Sequence, residues 1–209
     1  SLAIAYNVWT YYHHTADVAF MQGYGAEMFL EIARFWTSKA VFNPATGRYD
    51  IHGVMGPDEF HEHGPGSPEG GVSNNAYTNL MVAWMLTKIK DIRSLGGSAL
   101  LEKTGIAEEE FARMDEIAGK LCLQINEDGI IAQYMGYFDL EELDWQAYRK
   151  KYTNVYRMDR ILKSEGKSPD QYKVAKQADV LMIFYNLDKE IVDMLLAKLG
   201  YVLPEDYLQ

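Results

Sequence analysis

The chain has 209 residues, of which 48% are apolar and 24% charged, with a formal net charge of −10. That length and mixture suffice to bury a sizeable core and exclude a disordered chain. The acidic balance argues against nucleic acid or an anionic membrane as a partner, since both need a basic face, and no apolar run approaches the roughly 18 residues of a membrane span.

Residues 2–14 and 17–39 place aromatic and aliphatic side chains at three- and four-residue spacing, with Asp17 set to start the second run. This pattern predicts a helical hairpin. "NPATGRYDIHGVMG", 43–56, has turn chemistry and short β-like pieces, and predicts a loop with a small hairpin. After Ser73, Asn74 and Asn75, which are capping residues, "AYTNLMVAWMLTKIK" is apolar on nearly every face and predicts a helix buried on all sides. Residues 107–126 predict an acidic amphipathic helix with Phe111, Met114, Ile117, Ala118, Leu121 and Ile125 on one stripe. The single cysteine, Cys122, falls in the apolar run "AGKLCLQI" and reads as a buried small hydrophobe, which fits a reducing, cytoplasmic compartment. "EDGIIAQYMGYFDLEELD" is irregular with room for a short strand, 139–168 mixes short helices and turns, and two helices follow at 175–187 and 188–199. The sequence has no repeat at a fixed period and no low-complexity linker, so one all-α domain over 1–209 is the economical reading.

The longest polar loop, "HGVMGPDEFHEHGPGSPEGGVSNNAYTN", runs from His52 to Asn79 and carries glycines and prolines that forbid a long helix. Loops held by a rigid helical scaffold are where function is expected. Within it, "GPDEF" has the features of a positioned acid: Pro57 restricts the backbone, Gly56 permits tight packing, and Phe60 is placed to shield Glu59 from water. Burial against an aromatic ring raises a carboxyl pKa toward working pH, as general-acid chemistry requires. Taken alone, Gly-Pro-Asp-Glu is also an ordinary turn. Asp58 either orients Glu59 or is a turn carboxylate. Asn74 and Asn75 cap a helix, bind sugar hydroxyls, or do both. His52, His61 and His63 lack the spacing of a zinc site, so no metal is expected. Trp36, Tyr77 and Trp84 read as core before they read as a stacking platform.

The longer pattern of "GVMGPDEFHE", then "NNAYTN", then "KQADVLM" a hundred residues on resembles glycoside hydrolase family 65, the inverting α-glucoside phosphorylases and related hydrolases. "YGAEMFLEIARFW" and "SPDQYKVAKQADVLMIFY" are also similar to that family, so the likeness runs through almost the whole chain. The resemblance implies an (α/α)6 barrel, here incomplete, acting on an α-linked glucose disaccharide such as trehalose, maltose, kojibiose or nigerose. It implies Glu59 as the general acid and Lys176 and Gln177 as sugar contacts; Asn75 and His61, in the same polar loop, are expected as further substrate-binding residues. Inorganic phosphate is the implied co-substrate, and no organic cofactor is needed.

Lys176 and Gln177 can face one ligand only at or before a helix's first turn, because adjacent helical residues diverge by about 100°. "SPDQY" is therefore expected to be a turn, with the helix starting near Ala175. The insertion "HGPGSPEGG" loosens the family's spacing and puts linkage specificity in question. The family's upstream β-sandwich and downstream phosphate loop find no match here, so the chain is expected to be a central piece of a larger enzyme. Isolated, it is expected to be inactive and to self-associate, as a homo-oligomer, through uncovered faces around Trp84 and Met85. Two other readings stand beside phosphorolysis: inverting hydrolysis, which needs a base for water, and a non-catalytic helical module.

Overall fold

The computed structural model describes residues 1–204, so the last five residues of the expected domain lie outside the described residues. In chain order the helices are α1 (Leu2–Thr15), α2 (Val18–Phe20), α3 (Ala26–Lys39), α4 (Ala76–Thr87), α5 (Ile89–Thr104), α6 (Glu108–Ala118), α7 (Trp145–Lys151), α8 (Met158–Ser164), α9 (Met182–Asn186) and α10 (Lys189–Lys198). Two short strands, β1 (Ala40–Asn43) and β2 (Arg48–Ile51), pair as a hairpin. The described chain is mostly helical, as the periodicity predicts. It divides into two compact units: Ser1–Asp50, Asn79–Cys122 and Glu190–Val202 form the first; Ile51–Thr78, Leu123–Lys189 and the residues from Leu203 form the second.

In the first unit α1 and α3 make the expected hairpin, and Asp17 caps as predicted, its carboxylate accepting the N–H of Phe20 at 2.9 Å. The second run is not one regular helix, however. A π-helical turn at Met21–Gly25 joins α2 to α3. Gly25 belongs there because a Cβ would press on Met21 Sδ and Phe20 Cε1, each at 2.7 Å. Leu80 to Leu86 of α4 are all buried, which agrees with a helix apolar on every face. Trp84 and Met85 are among them, so the apolar faces expected to drive self-association are covered.

Helix α5 had no counterpart in the sequence reading. Its polar "IKDIRSLGGSALLEKT" is interrupted at Gly97, whose φ of 60° and ψ of −158° kink the helix. The helix expected over 107–126 stops at Ala118. Beyond it the Tyr49 N–H donates to the Lys120 carbonyl (2.8 Å) and the Cys122 N–H to the Tyr49 carbonyl (3.0 Å), so Leu121 is buried by strand-like pairing. A spacing of four from Ile117 to Leu121 suits either outcome. Cys122 is buried as expected, and burial pushes its thiol up to about 11.

The second unit has its own core, in which Phe60, Leu143, Tyr148, Met158, Leu162 and Val174 pack together. Two of these, Met158 and Leu162, lie four apart on α8, and Tyr148 is the buried residue of α7. The helix expected over 175–187 is confined to α9, Met182–Asn186. Ahead of it, Pro169–Gln171 form a single 3-10 turn that Ser168 caps, in keeping with the turn expected of "SPDQY".

Candidate active site

All the groups gathered here belong to the second unit. The long loop folds back on itself: Val54 and Val72 exchange backbone hydrogen bonds at 3.1 and 2.8 Å, bringing Gly56–Phe60 toward the start of α4. Asn75 caps that helix. Its Oδ1 accepts the N–H and the hydroxyl of Thr78 at 2.9 and 2.8 Å, while its Nδ2 donates to the Gln133 carbonyl (3.1 Å) and to both oxygens of Asp179 (2.9 and 3.0 Å). Gly56 lies against this pair, where an added Cβ would collide with Asp179 Oδ2 and Asn75 Nδ2.

Asp58 is 1% exposed and organises the rest. Its Oδ1 accepts the backbone N–H of Lys176 (2.8 Å), Phe60 (3.3 Å) and Gln177 (3.4 Å). Its Oδ2 accepts from Gln133 Nε2 (3.1 Å) and His61 Nδ1 (3.0 Å). Burial pushes the carboxyl upward, but hydrogen bonds from His61, the Lys176 N–H and Gln133 outweigh it and leave the pKa below the ordinary value. Asp58 therefore stays ionised and ties the 176–177 backbone to the 58–60 turn. Those two N–H groups thus find their partner in a carboxylate, ahead of α9, which begins only at Met182.

The consequence appears at Glu59. Its Oε2 accepts from Lys176 Nζ at 2.5 Å and its Oε1 from Gln177 Nε2 at 2.6 Å, while its own N–H donates to Gln177 Oε1 at 3.2 Å. Glu59 thus meets two adjacent side chains that lie 117 and 118 positions away in the sequence. Lys176 and Gln177 can both reach Glu59 because they lie outside a helix, as their adjacency requires. The Glu59 side chain is 58% exposed.

Two expectations for Glu59 need correcting. Phe60 does not shield it: that ring is 5% exposed and packs in the core with Leu143, Tyr148 and Leu162. Nor is the Glu59 pKa raised in this state. Hydrogen bonds from Lys176 and then Gln177, with the Lys176 charge, lower it.

Asn75 and His61 also occupy other positions than expected of sugar contacts. Asn75 is fully buried with its amide consumed by capping and by Asp179. His61 is buried between Asp58 and the Tyr172 carbonyl, which its Nε2 meets at 3.0 Å, with the rings of Tyr134 and Tyr137 edge-on to it. Both side chains support the turn that carries Glu59. His52 meets Ser73 and His63 meets Asp170, so the three histidines serve separate partners. Among the described residues no group of three or more His, Cys, Asp or Glu is placed to hold a metal ion.

Sequence reasoning missed Asp179 and Gln133. Asp179 is buried, and its pKa is raised to about 6, by burial first; hydrogen bonds from Asn75 and the Asp58 N–H pull the other way. It stands in the quoted "KQAD" stretch, where a carboxylate beside two polar residues was the available signal. Gln133, in "IIAQYMG", had none.

Residues 1–205 match the model of the glycosyl hydrolase family 65 central catalytic domain. The trehalose 6-phosphate phosphorylase of Lactococcus lactis subsp. lactis (strain IL1403) is 46% identical over 209 residues, 100% of this chain and 26% of that protein. A kojibiose phosphorylase of Halothermothrix orenii is 36% identical over 198 residues, 90% of this chain and 23% of that protein. A solved structure described as a kojibiose phosphorylase from the human microbiome superposes with a TM-score of 0.71 and 26% identity, over 93% of this chain and 27% of that one. The chain thus spans about a quarter of the length of the relatives it matches. A family match over nearly every residue, on a helical frame shared with a solved relative, leads to one conclusion: the chain belongs to glycosyl hydrolase family 65 and corresponds to its central catalytic domain.

Proposed function

We propose that this chain carries the general acid of an inverting α-glucoside phosphorylase, and that Glu59 is that acid. The observation that supports it most is the solvent-facing Glu59 carboxylate clamped by Lys176 and Gln177 above a buried Asp58. In the proposed reaction an oxygen of inorganic phosphate attacks the anomeric carbon of an α-linked glucose disaccharide from the face opposite the glycosidic oxygen. The carbon–oxygen bond to the leaving sugar breaks, its electron pair stays on that oxygen, and Glu59 supplies the proton that makes it a hydroxyl. The products are glucose and, by inversion, β-glucose 1-phosphate. Phosphate is nucleophilic without activation, so a second catalytic carboxylate is not required.

A lowered pKa describes Glu59 while Lys176 and Gln177 hold it. A pyranose offers hydroxyls that donate and accept, and an ammonium beside an amide can exchange the carboxylate for them. Once the sugar takes those two side chains, Glu59 loses the contacts that keep it ionised and can take up the proton it must deliver. Asn75 and His61 act in this scheme by holding the turn. An (α/α)6 barrel in the assembled enzyme and a cytoplasmic location belong to the same reading; the likeness to a solved relative and the family match support the first of these.

The test is product analysis with the intact enzyme. Turnover of an α-linked glucobiose should require phosphate and yield β-glucose 1-phosphate. Phosphate-independent release of two glucose molecules would establish a hydrolase instead, and α-glucose 1-phosphate would rule out inversion.

A further inference from the structure

Asp58 has a counterpart that reaches the other way. From the 58–60 turn, Asp58 accepts the backbone N–H groups of Lys176 and Gln177; Asp179, two residues beyond Gln177, accepts the backbone N–H of Asp58 on its Oδ2 at 3.4 Å. Gln133 Nε2 stands between the two carboxylates, 3.1 Å from Asp58 Oδ2 and 3.4 Å from Asp179 Oδ2. The Asn75 amide makes the shortest contacts, 2.9 and 3.0 Å to the two Asp179 oxygens, and Gly56 lies so close to Oδ2 that no side chain fits there. Segments 56–60 and 176–179 are thus cross-braced beneath the Glu59 clamp. Among the described residues, every hydrogen-bond partner of Asp179 is a donor, so the arrangement suits a carboxylate and offers no acceptor to a carboxylic O–H.

We propose that ionised Asp179 is a positioning residue of the sugar site: it fixes the far end of the 176–179 segment, and through it the Lys176 and Gln177 side chains that meet the sugar. Asp179 is itself buried and acts through those two residues. A proton on either oxygen turns an acceptor into a donor that faces donors, and the brace slackens. The proposal rests on the sugar contacts of Lys176 and Gln177 and not on the acid role of Glu59.

The group changes state close to working pH. Burial raises the Asp179 carboxyl to about 6; hydrogen bonds from Asn75 and the Asp58 N–H oppose that rise, the Asp58 charge adds to it, and His61 opposes it. The other titratable groups that feel Asp179 are the phenols of Tyr134 and Tyr137, which burial pushes upward, so both stay neutral in this range. Stability and sugar binding should then respond to acid in opposite directions. The folded chain holds the Asp179 proton more tightly than the unfolded chain, so the stability contribution rises as pH falls from about 6 to 4. Sugar binding should weaken as pH falls through about 6, a trend that a merely structural role does not produce.

The experiment measures sugar binding by calorimetry in the intact Glu59→Gln enzyme, where Glu59 no longer titrates. The probe is whichever of trehalose, maltose, kojibiose and nigerose the unmodified enzyme turns over, without phosphate, from about pH 5 to about pH 7.5. One unit below its midpoint about a tenth of the carboxyl is ionised, so Kd at the acid end should be weaker by about three- to tenfold. Adding Asp179→Asn should leave Kd weak and level across the range. A Kd that is level in the Glu59→Gln enzyme overturns the proposal, and so does a pH dependence that persists with Asp179→Asn. Asn75→Ser gives a check that does not depend on the Asp179 variant folding: serine keeps a helix cap and removes the amide donor, so the midpoint should move above about 6. An unmoved midpoint assigns the titration to another group and overturns the proposal. Full turnover by Glu59→Gln would remove the acid assignment and leave the Asp179 result standing, whereas level binding rejects Asp179 even if Glu59→Gln abolishes turnover.

Discussion

Asp58→Asn should damage the site without touching Glu59, because Asp58 is the buried anchor that brings Lys176 and Gln177 to it. The carboxylate accepts five hydrogen bonds, three on Oδ1 from backbone N–H groups and two on Oδ2 from Gln133 and His61. An asparagine has one carbonyl oxygen. If that oxygen keeps the backbone donors, its NH2 faces the Gln133 amide donor, whose other acceptor, Asp179 Oδ2, is at a marginal 3.4 Å. One buried donor left facing another costs about 1–3 kcal/mol, and removing the charge from the other bonds and from the His61 pair brings the total to roughly 2–5 kcal/mol. Denaturant unfolding should register that loss. Part of it should appear in function: with residues 176–177 loosened, kcat/KM for the disaccharide should fall about 10–100-fold. The pH profile carries a further signature. Weaker contacts from Lys176 and Gln177 should let the Glu59 pKa rise, moving the corresponding limb of the kcat/KM profile to higher pH. Unaltered stability together with an unaltered profile would refute Asp58 as the anchor.

Asp179 gives a prediction with a definite sign. Its carboxyl is raised from 3.8 to about 6 in the folded chain, so between those values the folded state holds a proton that the unfolded state has released. Its contribution to stability therefore falls as pH rises from about 4 to 6 and is level above, by at most roughly 3 kcal/mol. The stability difference between the native protein and Asp179→Asn should change over that window, and a constant difference would contradict the burial argument. Gly56→Ala places a methyl group against Asp179 and Asn75 and should cost about 1–3 kcal/mol, as overpacking does; a neutral effect on thermal unfolding would mean the contact yields. Lys176→Ala and Gln177→Ala should each lower kcat/KM at least about tenfold, a loss of roughly 1–3 kcal/mol, and unaltered kinetics in both would remove them from the sugar site.

Much of this architecture is legible in the sequence because it depends on local pattern. The α1 and α3 runs, the cap at Asp17 and the all-round burial of α4 follow from periodicity and capping chemistry. Failures occur where a long-range contact overrides that pattern. Leu121 continues the α6 stripe, yet pairing with Tyr49 draws it into extended backbone. Lys176 and Gln177 precede an apolar helical run, yet Asp58, 118 and 119 positions away, takes their N–H groups. The convergence of Glu59 with Lys176 and Gln177 was suggested by motif resemblance, whereas the buried Asp58, Gln133 and Asp179 beneath it emerge only from the folded chain. Phe60 misled because an aromatic next to a carboxylate need not face it: successive side chains in this turn point to opposite sides, one to the core and one to solvent.

The central claim is that Glu59 supplies the proton to the leaving oxygen. Glu59→Gln keeps the shape and a hydrogen-bond donor and deletes the transferable proton. The direct measurement compares, in the intact enzyme, a disaccharide substrate with an α-glucosyl fluoride, whose leaving group needs protonation far less. The substitution should lower kcat on the disaccharide by about 10²–10⁴-fold, or roughly 3–5 kcal/mol of barrier, while turnover of the fluoride largely survives. Equal loss on both substrates, or no loss on either, would contradict the assignment of Glu59 as the acid.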